Sequence, residues 1–365
     1  MDISRRTFIK GVVAAAGAAS LGLVPGKGMG EEAGAAKPVP GSGGDRYLPY
    51  AERSGGESVV YFTRDLSAQG LRRILARVRS NLSGRVAIKL HTGEQNGPNI
   101  IPRPWVRELV EQDFPGAAIV ETNAYYEGDR HTTALHRETL KVNGWTFAPV
   151  DILDEHGAAM LPVAGGKWFR EMSVGKGLLN YDSLLVLTHF KGHVMGGFGG
   201  SNKNIGIGCA DGRIGKAMIH TTPGQPNQWD INKEEFMERM TESAKATVDH
   251  FAPRISFVNV LRNMSVSCDC EGVRAEPVVT PDIGIVASLD ILAVDQASVD
   301  LVQALPEKDR AALFERMQSR HGFRQLSCMK ELKMGNDRYA LLDIDRNDAR
   351  ILPQDAVAGI KSLGA

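Results

Sequence analysis

The chain has 365 residues, of which 42% are hydrophobic and 24% are charged, so it is long and apolar enough to bury a substantial core. Its 43 basic residues balance its 43 acidic residues, and no long run of one sign occurs. Proteins that hold DNA or RNA carry a basic surface against the phosphates, so this balance argues against nucleic acid as a partner.

The first 36 residues have the pattern of an export signal. Two adjacent arginines, Arg5 and Arg6, precede a weakly hydrophobic run over residues 11–24. The bacterial twin-arginine translocase reads this pattern, and the run is too short for the roughly 20 residues of a membrane-spanning helix. We therefore expect a periplasmic protein with a signal peptide over residues 1–36, no stable membrane span after its cleavage, and a flexible linker over residues 37–55.

Strand-like and helix-like stretches alternate along the rest of the chain. The predicted strands cover residues 59–62, 86–90, 118–120, 147–153, 184–187, 255–258, 283–287 and 339–344. The predicted helices cover residues 71–82, 105–114, 131–142, 234–251 and 294–305. This alternation predicts one α/β domain over residues 56–350, with a layered, mostly parallel sheet and crossover helices on both faces. Residues 351–365 are expected to form a C-terminal tail.

Polar side chains follow two of the predicted strands. His91 comes directly after the strand over residues 86–90, and His189 follows the strand over residues 184–187. Ligands of parallel sheets gather at the carboxyl ends of the strands, where the loops leave the sheet. We therefore predict a ligand site at this edge, with His91 as one of its members.

The stretch over residues 188–204 holds the densest set of candidate site residues. His189 and His193 are able to hold one metal ion if the loop turns back on itself, and neutral imidazole suits Zn, Fe, Cu or Ni. The alternative is a glycine-rich turn whose histidines hydrogen-bond the backbone. An anionic substrate or cofactor group is predicted to bind at the glycines and at Lys203, which is also the candidate catalytic residue. The residues predicted to bind this group are Gly196, Gly197, Gly199, Gly200, Asn202, Lys203 and Asn204.

Cys268 and Cys270 give the sharpest cysteine signal because the two thiols flank a carboxylate, Asp269. Such a pair binds a soft metal or acts as a redox pair. In an exported protein a disulfide to Cys209 or Cys328 is an alternative, as are free thiols. Cys328 lies within a helical pattern, and we expect it to pack in the core.

The other histidines and the known hydrolase motifs add no residue to the predicted site. His131 and His136 lie on a predicted polar helix and are expected at the surface. The chain contains neither a G-x-S-x-G nor an H-E-x-x-H pattern. Hydrolase chemistry of those two types is therefore not supported.

The run over residues 184–210, together with Gly215, Lys216 and the cysteine pair, resembles the bacterial proteins grouped as domain of unknown function 362. The likeness is to the branch labelled iron–sulfur centre protein. Members of that branch often carry a ferredoxin-like insert with repeated cysteines, but residues 221–251 at the matching place contain none. A pair of [4Fe–4S] clusters of the ferredoxin type is therefore not expected. The resemblance implies a site composed of His189, His193, Cys209, His220, Cys268 and Cys270.

These features predict an exported metal- or cofactor-binding protein that is an oxidoreductase-like enzyme holding a divalent transition metal, Fe or Zn. One alternative is a non-enzymatic periplasmic metal or ligand carrier, and another is a scaffold that binds a redox partner. A carrier closes the ligand shell of its metal, whereas an enzyme keeps one position open. A small anionic ligand or substrate is expected beside Lys203. We also expect a ring nitrogen of His189 or His193 within roughly 8 Å of a sulfur of Cys268 or Cys270, which small rotamer changes would convert to ligand bonds.

Overall fold

The computed structural model describes residues 46–222 and 229–363, so the predicted signal peptide and the first part of the predicted linker lie outside the described residues. The strands are β1 (Glu57–Thr63), β2 (Val86–Lys89), β3 (Ala118–Glu121), β4 (Val150–Ile152), β5 (Ala158–Pro162), β6 (Glu171–Gly175), β7 (Ser183–His189), β8 (Lys191–His193), β9 (Gly197–Gly199), β10 (Ile255–Leu261), β11 (Met264–Ser265), β12 (Val278–Thr280), β13 (Gly284–Ser288), β14 (Arg338–Asp343) and β15 (Ala349–Ile351). The helices are α1 (Ala68–Leu75), α2 (Arg103–Asp113), α3 (Thr133–Val142), α4 (Ser201–Gly208), α5 (Gly215–His220), α6 (Lys233–Phe251), α7 (Ile291–Ala304), α8 (Glu307–Ser319), α9 (Arg324–Glu331) and α10 (Pro353–Val357).

Nine of these strands form one sheet, in the order β15-β14-β1-β13-β10-β7-β2-β3-β4. Neighbouring strands pair in parallel except where β13 pairs with β1 and β10 and where β15 pairs with β14. The carboxyl ends of β10, β7, β2 and β3 therefore meet along one edge of the sheet. The predicted α/β class with a mostly parallel sheet is confirmed.

Strand β7 shows why helices cover both faces of the sheet. All seven of its residues are buried, and successive side chains of a strand point to opposite faces. Leu184 and Val186 enter one hydrophobic core with residues of α4, α6, α7, α8 and α9. Leu185 and Leu187 enter a second core with residues of α1, α2 and α3. The prediction of helices on both faces is confirmed.

Two local differences from the sequence prediction have physical reasons. The helix predicted over residues 71–82 ends at Leu75, and Val78 reaches the core from the turn that follows. Residues 201–208, whose first four belong to the stretch predicted as a glycine-rich turn, form helix α4. Glycine disfavours helices, but a Cβ on Gly206 would lie 2.5 Å from the carbonyl oxygen of Met240, so close packing against α6 requires glycine there.

The segments on either side of the predicted domain also contact it. Arg53, at the end of the predicted linker, forms a buried ion pair with Asp300 of α7 at 2.6 Å. Beyond residue 350, Ala356 and Val357 of α10 pack into the hydrophobic core. Among the described residues, no helix combines the length and the apolar character needed to cross a bilayer.

Candidate functional site

A cleft lies at the carboxyl edge of β2, β3 and β7. Its volume is about 870 Å³, which includes the solvent-filled space at its open mouth. The hairpin of β8 and β9 and the first turns of α4 form one wall, and the loop after β3 forms another. This is the edge at which the topology of a parallel sheet gathers functional side chains. The residues that line the cleft are Lys89, His91, Glu121, Thr122, Ala124, Tyr125, Tyr126, Arg130, Thr188, Lys191, His193, Val194, Met195, Gly199, Gly200, Lys203, Asn204, Ile207, Gly208, Lys216, His220, Trp229 and Cys270.

Close backbone packing brings the β8–β9 hairpin against the segment that carries the cysteine pair. A Cβ on Gly192 would lie only 2.2 Å from the carbonyl oxygen of Val266, so no larger residue fits at this position of β8. His193 follows Gly192, and Cys268 follows Val266 by two residues. This contact therefore places the imidazole beside the two thiols although 75 residues separate His193 from Cys268.

Asp269, which lies between the two cysteines, ties the same segments together through its carboxylate. It contacts His189 Nδ1 at 2.9 Å and Lys191 Nζ at 2.9 Å. Burial acts to raise the pKa of Asp269, but the charges of His189 and Lys191 outweigh it and hold that pKa below its usual range. The carboxylate therefore fixes the position of the cysteine loop on the hairpin.

The sulfurs of Cys268 and Cys270 and a ring nitrogen of His193 all lie within 4.8 Å of one another. This distance is inside the roughly 8 Å expected from the parallel-strand argument. The Cys268 sulfur also accepts hydrogen bonds from the backbone N–H of Cys270 at 3.4 Å and from Lys203 Nζ at 3.5 Å. We refer to Cys268, Cys270 and His193 as the sulfur centre.

The proton positions at the sulfur centre follow from the backbone around His193. Its Nδ1 accepts the N–H groups of Gly196 at 2.8 Å and Met195 at 3.2 Å. A neutral ring in this arrangement carries its proton on Nε2, and the ring hydrogen-bonds the Cys268 sulfur. Burial, with the nearby charge of Lys203, lowers the pKa of His193 to about 4, so the ring is neutral at pH 7.

His91 approaches the same sulfur from the end of β2. Its Nδ1 accepts the N–H of Gly93 at 3.2 Å, and the ring hydrogen-bonds Cys268. The hydrogen bond from the Cys270 side chain lowers the pKa of Cys268 well below its usual value, with Lys203 and the two imidazoles acting in the same direction. The same bond, with burial, raises the pKa of Cys270. Cys268 is therefore the thiolate of the pair.

A second group of polar side chains lies across the cleft, centred on Glu121 at the end of β3. Its carboxylate contacts Lys89 Nζ at 3.2 Å and Arg130 Nη1 at 3.1 Å, and accepts the hydroxyl of Thr92 at 2.7 Å. Burial acts to raise the pKa of Glu121, but these two cations hold it well below the usual range. We refer to Glu121, Lys89, Arg130 and Thr92 as the carboxylate cluster.

Comparison with known proteins identifies the family. The family model described as "Domain of unknown function (DUF362)" matches residues 86–300, which is more than half of the chain. The chain belongs to the DUF362 family. No curated protein matches it in sequence. Membership of the iron–sulfur branch stays a prediction.

Two solved structures show a distant likeness to this DUF362 chain. One is the lactate racemase apoprotein from Thermoanaerobacterium thermosaccharolyticum, with 11% identity over 82% of this chain and 85% of that chain, and a TM-score of 0.35. The other is a structural-genomics protein from Thermotoga maritima, with 11% identity over 69% of this chain and 58% of that chain, and a TM-score of 0.35. Likenesses at this level carry no argument about function.

The six residues that the family resemblance implied for the site lie in four different environments. His193, Cys268 and Cys270 form the sulfur centre. His220 lines the cleft, where its ring stacks on Tyr125 at a centroid distance of 5.8 Å. His189 lies behind the centre, with Nδ1 on Asp269 and Nε2 on the carbonyl oxygen of Arg262 at 2.7 Å.

Cys209 lies outside the cleft lining in the DUF362 fold. Helix α4 turns it into the hydrophobic core, where burial raises the pKa of its thiol to about 11. A protonated, enclosed thiol is a poor metal ligand. Cys328 is buried in α9, as expected from its helical pattern. His136 differs from the expectation of a surface histidine, because it is fully buried beneath the loop after β3, where its Nδ1 contacts Asn123 Oδ1 at 3.3 Å.

The backbone that follows the glycine run binds a carboxylate of the protein itself. The N–H groups of Ser201 and Asn202, at the start of α4, donate to the carboxylate of Asp295 at 2.7 and 2.9 Å. Gly200 is required there, since a Cβ would lie 2.5 Å from that carboxylate. The Asn202 side chain points away from the cleft and donates to Thr241 at 3.0 Å. Of the predicted anion-binding residues, Gly199, Gly200, Lys203 and Asn204 line the cleft, whereas Gly196, Gly197 and Asn202 do not.

Sequence reasoning missed several charged residues of the cleft. Lys89 and Glu121 end two otherwise apolar strands, and Lys191 lies between the two histidines. Charged residues seldom occur inside or at the end of a buried strand, and this rarity was the signal in the sequence that could have identified them. Their partners were not visible because Glu121 lies 32 residues beyond Lys89 and meets it only through the pairing of β2 with β3.

Proposed function

We propose that this protein is a periplasmic metal-binding protein of oxidoreductase type, with its metal held at the sulfur centre. The observation that supports the proposal is the position of three ligand atoms, two sulfurs and one imidazole nitrogen, within 4.8 Å of one another beside an open cleft. Thiolate and imidazole ligands together favour Fe, Zn or Cu over Mg or Ca. We expect Fe or Zn.

The charges of the residues fit such a metal. Two cysteine thiolates would neutralise a divalent cation, and the hydrogen bonds that the Cys268 sulfur accepts from Lys203 and from the backbone N–H of Cys270 resemble the outer contacts that orient ligands in known metal sites. Cys268 is already the thiolate of the pair, whereas Cys270, whose pKa is raised, would lose its proton on binding the metal. His193 joins them as a ligand when its Nε2 proton leaves, which requires the proton to move to Nδ1 and the ring to turn from the N–H groups of Met195 and Gly196.

The open side of the sulfur centre favours an enzyme over a carrier. Cys270 and His193 both line the cleft, so a fourth coordination position would face the space available to a substrate. Three protein ligands with one open position are typical of catalytic sites. When bound, an iron ion would supply one-electron redox chemistry and a zinc ion would polarise a substrate oxygen.

Metal analysis of natively exported protein tests this function. The protein is purified without chelators or affinity metals, and iron, zinc and copper are measured by mass spectrometry alongside protein concentration. We expect close to one equivalent of a single transition metal per chain. Less than a tenth of an equivalent in protein whose thiols are all reduced would contradict the metal-binding proposal.

A second candidate, a thiol–disulfide oxidoreductase, is favoured by the hydrogen bonds that two imidazole rings make to the Cys268 sulfur. The rings of His91 and His193 both hydrogen-bond this sulfur, and both use Nδ1 as an acceptor of backbone N–H groups. In this function the Cys268 thiolate attacks a partner disulfide and releases one partner thiolate. Cys270 then loses its proton and attacks the Cys268 sulfur, which releases the second partner thiol and leaves a Cys268–Cys270 disulfide.

Thiol counting separates the two candidates. A redox pair would show two fewer reactive thiols after incubation with oxidised glutathione, recover them with dithiothreitol, and contain no stoichiometric metal. A metal centre would protect both cysteines from alkylation until a chelator removes the metal. The Cys209→Ser variant is the matched control, because its thiol lies in the core and should change neither measurement.

The periplasmic location rests on the twin-arginine pattern at Arg5 and Arg6. Replacing both arginines by lysine keeps the charge but removes the pattern that the translocase reads. We expect the variant to stay in the cytoplasm with its signal uncut. Normal appearance of the shortened protein in the periplasm would contradict this export route.

A further inference from the structure

Three lysines with incompletely used ammonium groups face the cleft beside the sulfur centre. Lys191, Lys203 and Lys216 are only 4%, 9% and 4% exposed, yet all three line the cleft. A buried lysine needs acceptors for its charge and its three N–H donors. We refer to these residues as the lysine group.

The contacts of the lysine group leave N–H donors without an acceptor among the described residues. Among the described residues, Lys191 Nζ has Asp269 as its acceptor and Lys203 Nζ has the Cys268 sulfur. Lys216 Nζ donates to the hydroxyl of Thr122 at 2.8 Å and to the carbonyl oxygen of Asn123, and no carboxylate in the described part of the chain contacts it. Counting acceptors in the described ranges 46–222 and 229–363, each ammonium group therefore keeps at least one N–H for a ligand in the cleft.

The charges around the cleft do not cancel within the described part of the chain. Asp154, the carboxylate whose charge acts most strongly on Lys216, accepts the N–H groups of Asn123 and Gly212. A divalent metal and two thiolates cancel each other, so metal binding does not supply the missing negative charge. Five basic side chains line the cleft and four carboxylates act on them, so one positive charge remains. The groups are Lys89, Arg130, Lys191, Lys203 and Lys216 against Glu94, Glu121, Asp154 and Asp269.

The other side of the cleft is aromatic and apolar. His220 stacks on Tyr125, and Trp229 packs edge-on against both rings at 5.6 and 5.4 Å. Tyr125 and Trp229 are partly exposed, whereas the lysine group is buried. A ligand therefore meets ammonium groups in the depth of the cleft and ring surfaces nearer to solvent.

We propose that the lysine group is the binding site for the oxyanion head, a carboxylate or a phosphate, of a small organic molecule whose apolar body contacts Tyr125, His220 and Trp229. This inference deepens the proposed function by naming its substrate class. Binding of the anion does not depend on the proposed function, but calling the bound molecule a substrate rests on it. The head group supplies the negative charge that the cleft lacks, and its body lies where it can reach the sulfur centre.

Calorimetric titration of the exported, metal-loaded protein with acetate, benzoate and inorganic phosphate tests the site at low ionic strength. We expect one saturable site per chain for the carboxylates or for phosphate, which identifies the head group, and tighter binding of benzoate than of acetate. Lys216→Gln should raise Kd about tenfold or more, because a charge-assisted hydrogen bond is lost. Lys308→Gln, at an exposed position of α8, is the matched control and should leave Kd within about twofold.

Two further variants keep the inference separate from the metal proposal. The Cys268→Ser and Cys270→Ser double variant removes the sulfur centre and should bind the anion within about threefold of the parent, since the lysine donors remain. If Lys216→Gln does not fold, Lys203→Gln gives the same test. The lysine site would be overturned by any one of three results. These are unchanged binding by a folded lysine variant, no saturable binding of acetate, benzoate or phosphate, and loss of binding in the folded double cysteine variant.

Discussion

The two polar groups of the cleft differ in what they leave for a ligand. In the carboxylate cluster, Glu121 is contacted by Lys89, Arg130 and Thr92, and Lys89 also donates to Asn204 at 3.0 Å. In the sulfur centre, by contrast, the ligand atoms face one another. The first arrangement is complete without a ligand, whereas the second is an assembly of groups that a metal or an electrophile would complete.

The difference shows why charge alone does not identify a functional site. Both groups contribute residues to the cleft, and both shift the pKa of an acidic group downward, that of Glu121 in one and that of Cys268 in the other. Lys89 and Arg130 compensate the first and join β2 to β3, which is a structural role. The second lies where Cys270 and His193 meet the cleft, which is a position for chemistry.

The largest expected effect comes from removing the sulfurs. The double variant with Cys268→Ser and Cys270→Ser should lose all stoichiometric metal, because a hydroxyl is a poor ligand for a soft cation. Elemental analysis of the purified variant measures this directly. Cys209→Ser and Cys328→Ser, both at buried positions outside the cleft lining, should keep the metal. Retention of a full equivalent by the double variant would show that the metal lies elsewhere.

Breaking the carboxylate cluster should instead destabilise the fold. Glu121→Gln leaves Lys89 and Arg130 buried with one carboxylate fewer, and we expect a loss of about 3 kcal/mol in the free energy of unfolding. Urea denaturation measures the loss, with Glu138→Gln at an exposed ion pair as the control, for which the expected change is below about 0.5 kcal/mol. Metal content per folded chain should not change. A stable Glu121→Gln protein that has lost its metal would reverse the roles assigned to the two groups.

The pair His189 and His193 sharpens the comparison within one short segment, since His189 ends β7 and His193 ends β8. His193→Gln should lower metal affinity about 10- to 100-fold with little effect on the unfolding midpoint, because it removes a ligand that faces the cleft. His189→Gln should lower the unfolding midpoint, because the ring joins Asp269 to the carbonyl of Arg262. Competition with a chromogenic chelator gives the affinities, and thermal melts give the midpoints. Equal effects of the two variants on both measurements would remove the distinction.

Sequence reasoning could predict the sheet and the convergence at its edge because both depend on local patterns. Strand β7 is a short apolar run, and the loops after parallel strands share one edge. Which side chains point into the cleft could not be predicted in the same way. Cys209 stands in the same motif as Lys203, but the rotation of α4 sends the thiol to the core and the ammonium group to the cleft.

The long-range contacts were also beyond sequence reasoning. The approach of Gly192 to Val266 and the use of Asp295 to cap α4 both join segments more than 70 residues apart. The sequence shows only a glycine and an acidic residue at these places. Nothing in the local pattern distinguishes a carboxylate that caps a helix inside the protein from a ligand that would bind there.

The smallest expected effect is the pH dependence of anion binding at the lysine group. Burial lowers the pKa of Lys216 to about 8, so its ammonium group loses its proton as the pH rises through that value. The groups whose charges act on Lys216 are Asp154, Arg130, Glu121 and Lys89, of which the two carboxylates favour the charged amine and the two cations oppose it.

Because only the protonated form of Lys216 attracts an anion, Kd should rise as the pH increases from 7 to 9. With a pKa of about 8, the charged fraction falls from about nine-tenths to about one-tenth over this interval, and binding should weaken by somewhat less than tenfold because the other two lysines keep their charges. Binding should also take up protons near pH 8, which calorimetry in buffers of different ionisation enthalpy detects. The Lys216→Gln variant should show neither effect. A pH profile that is the same in parent and variant would place the anion away from Lys216.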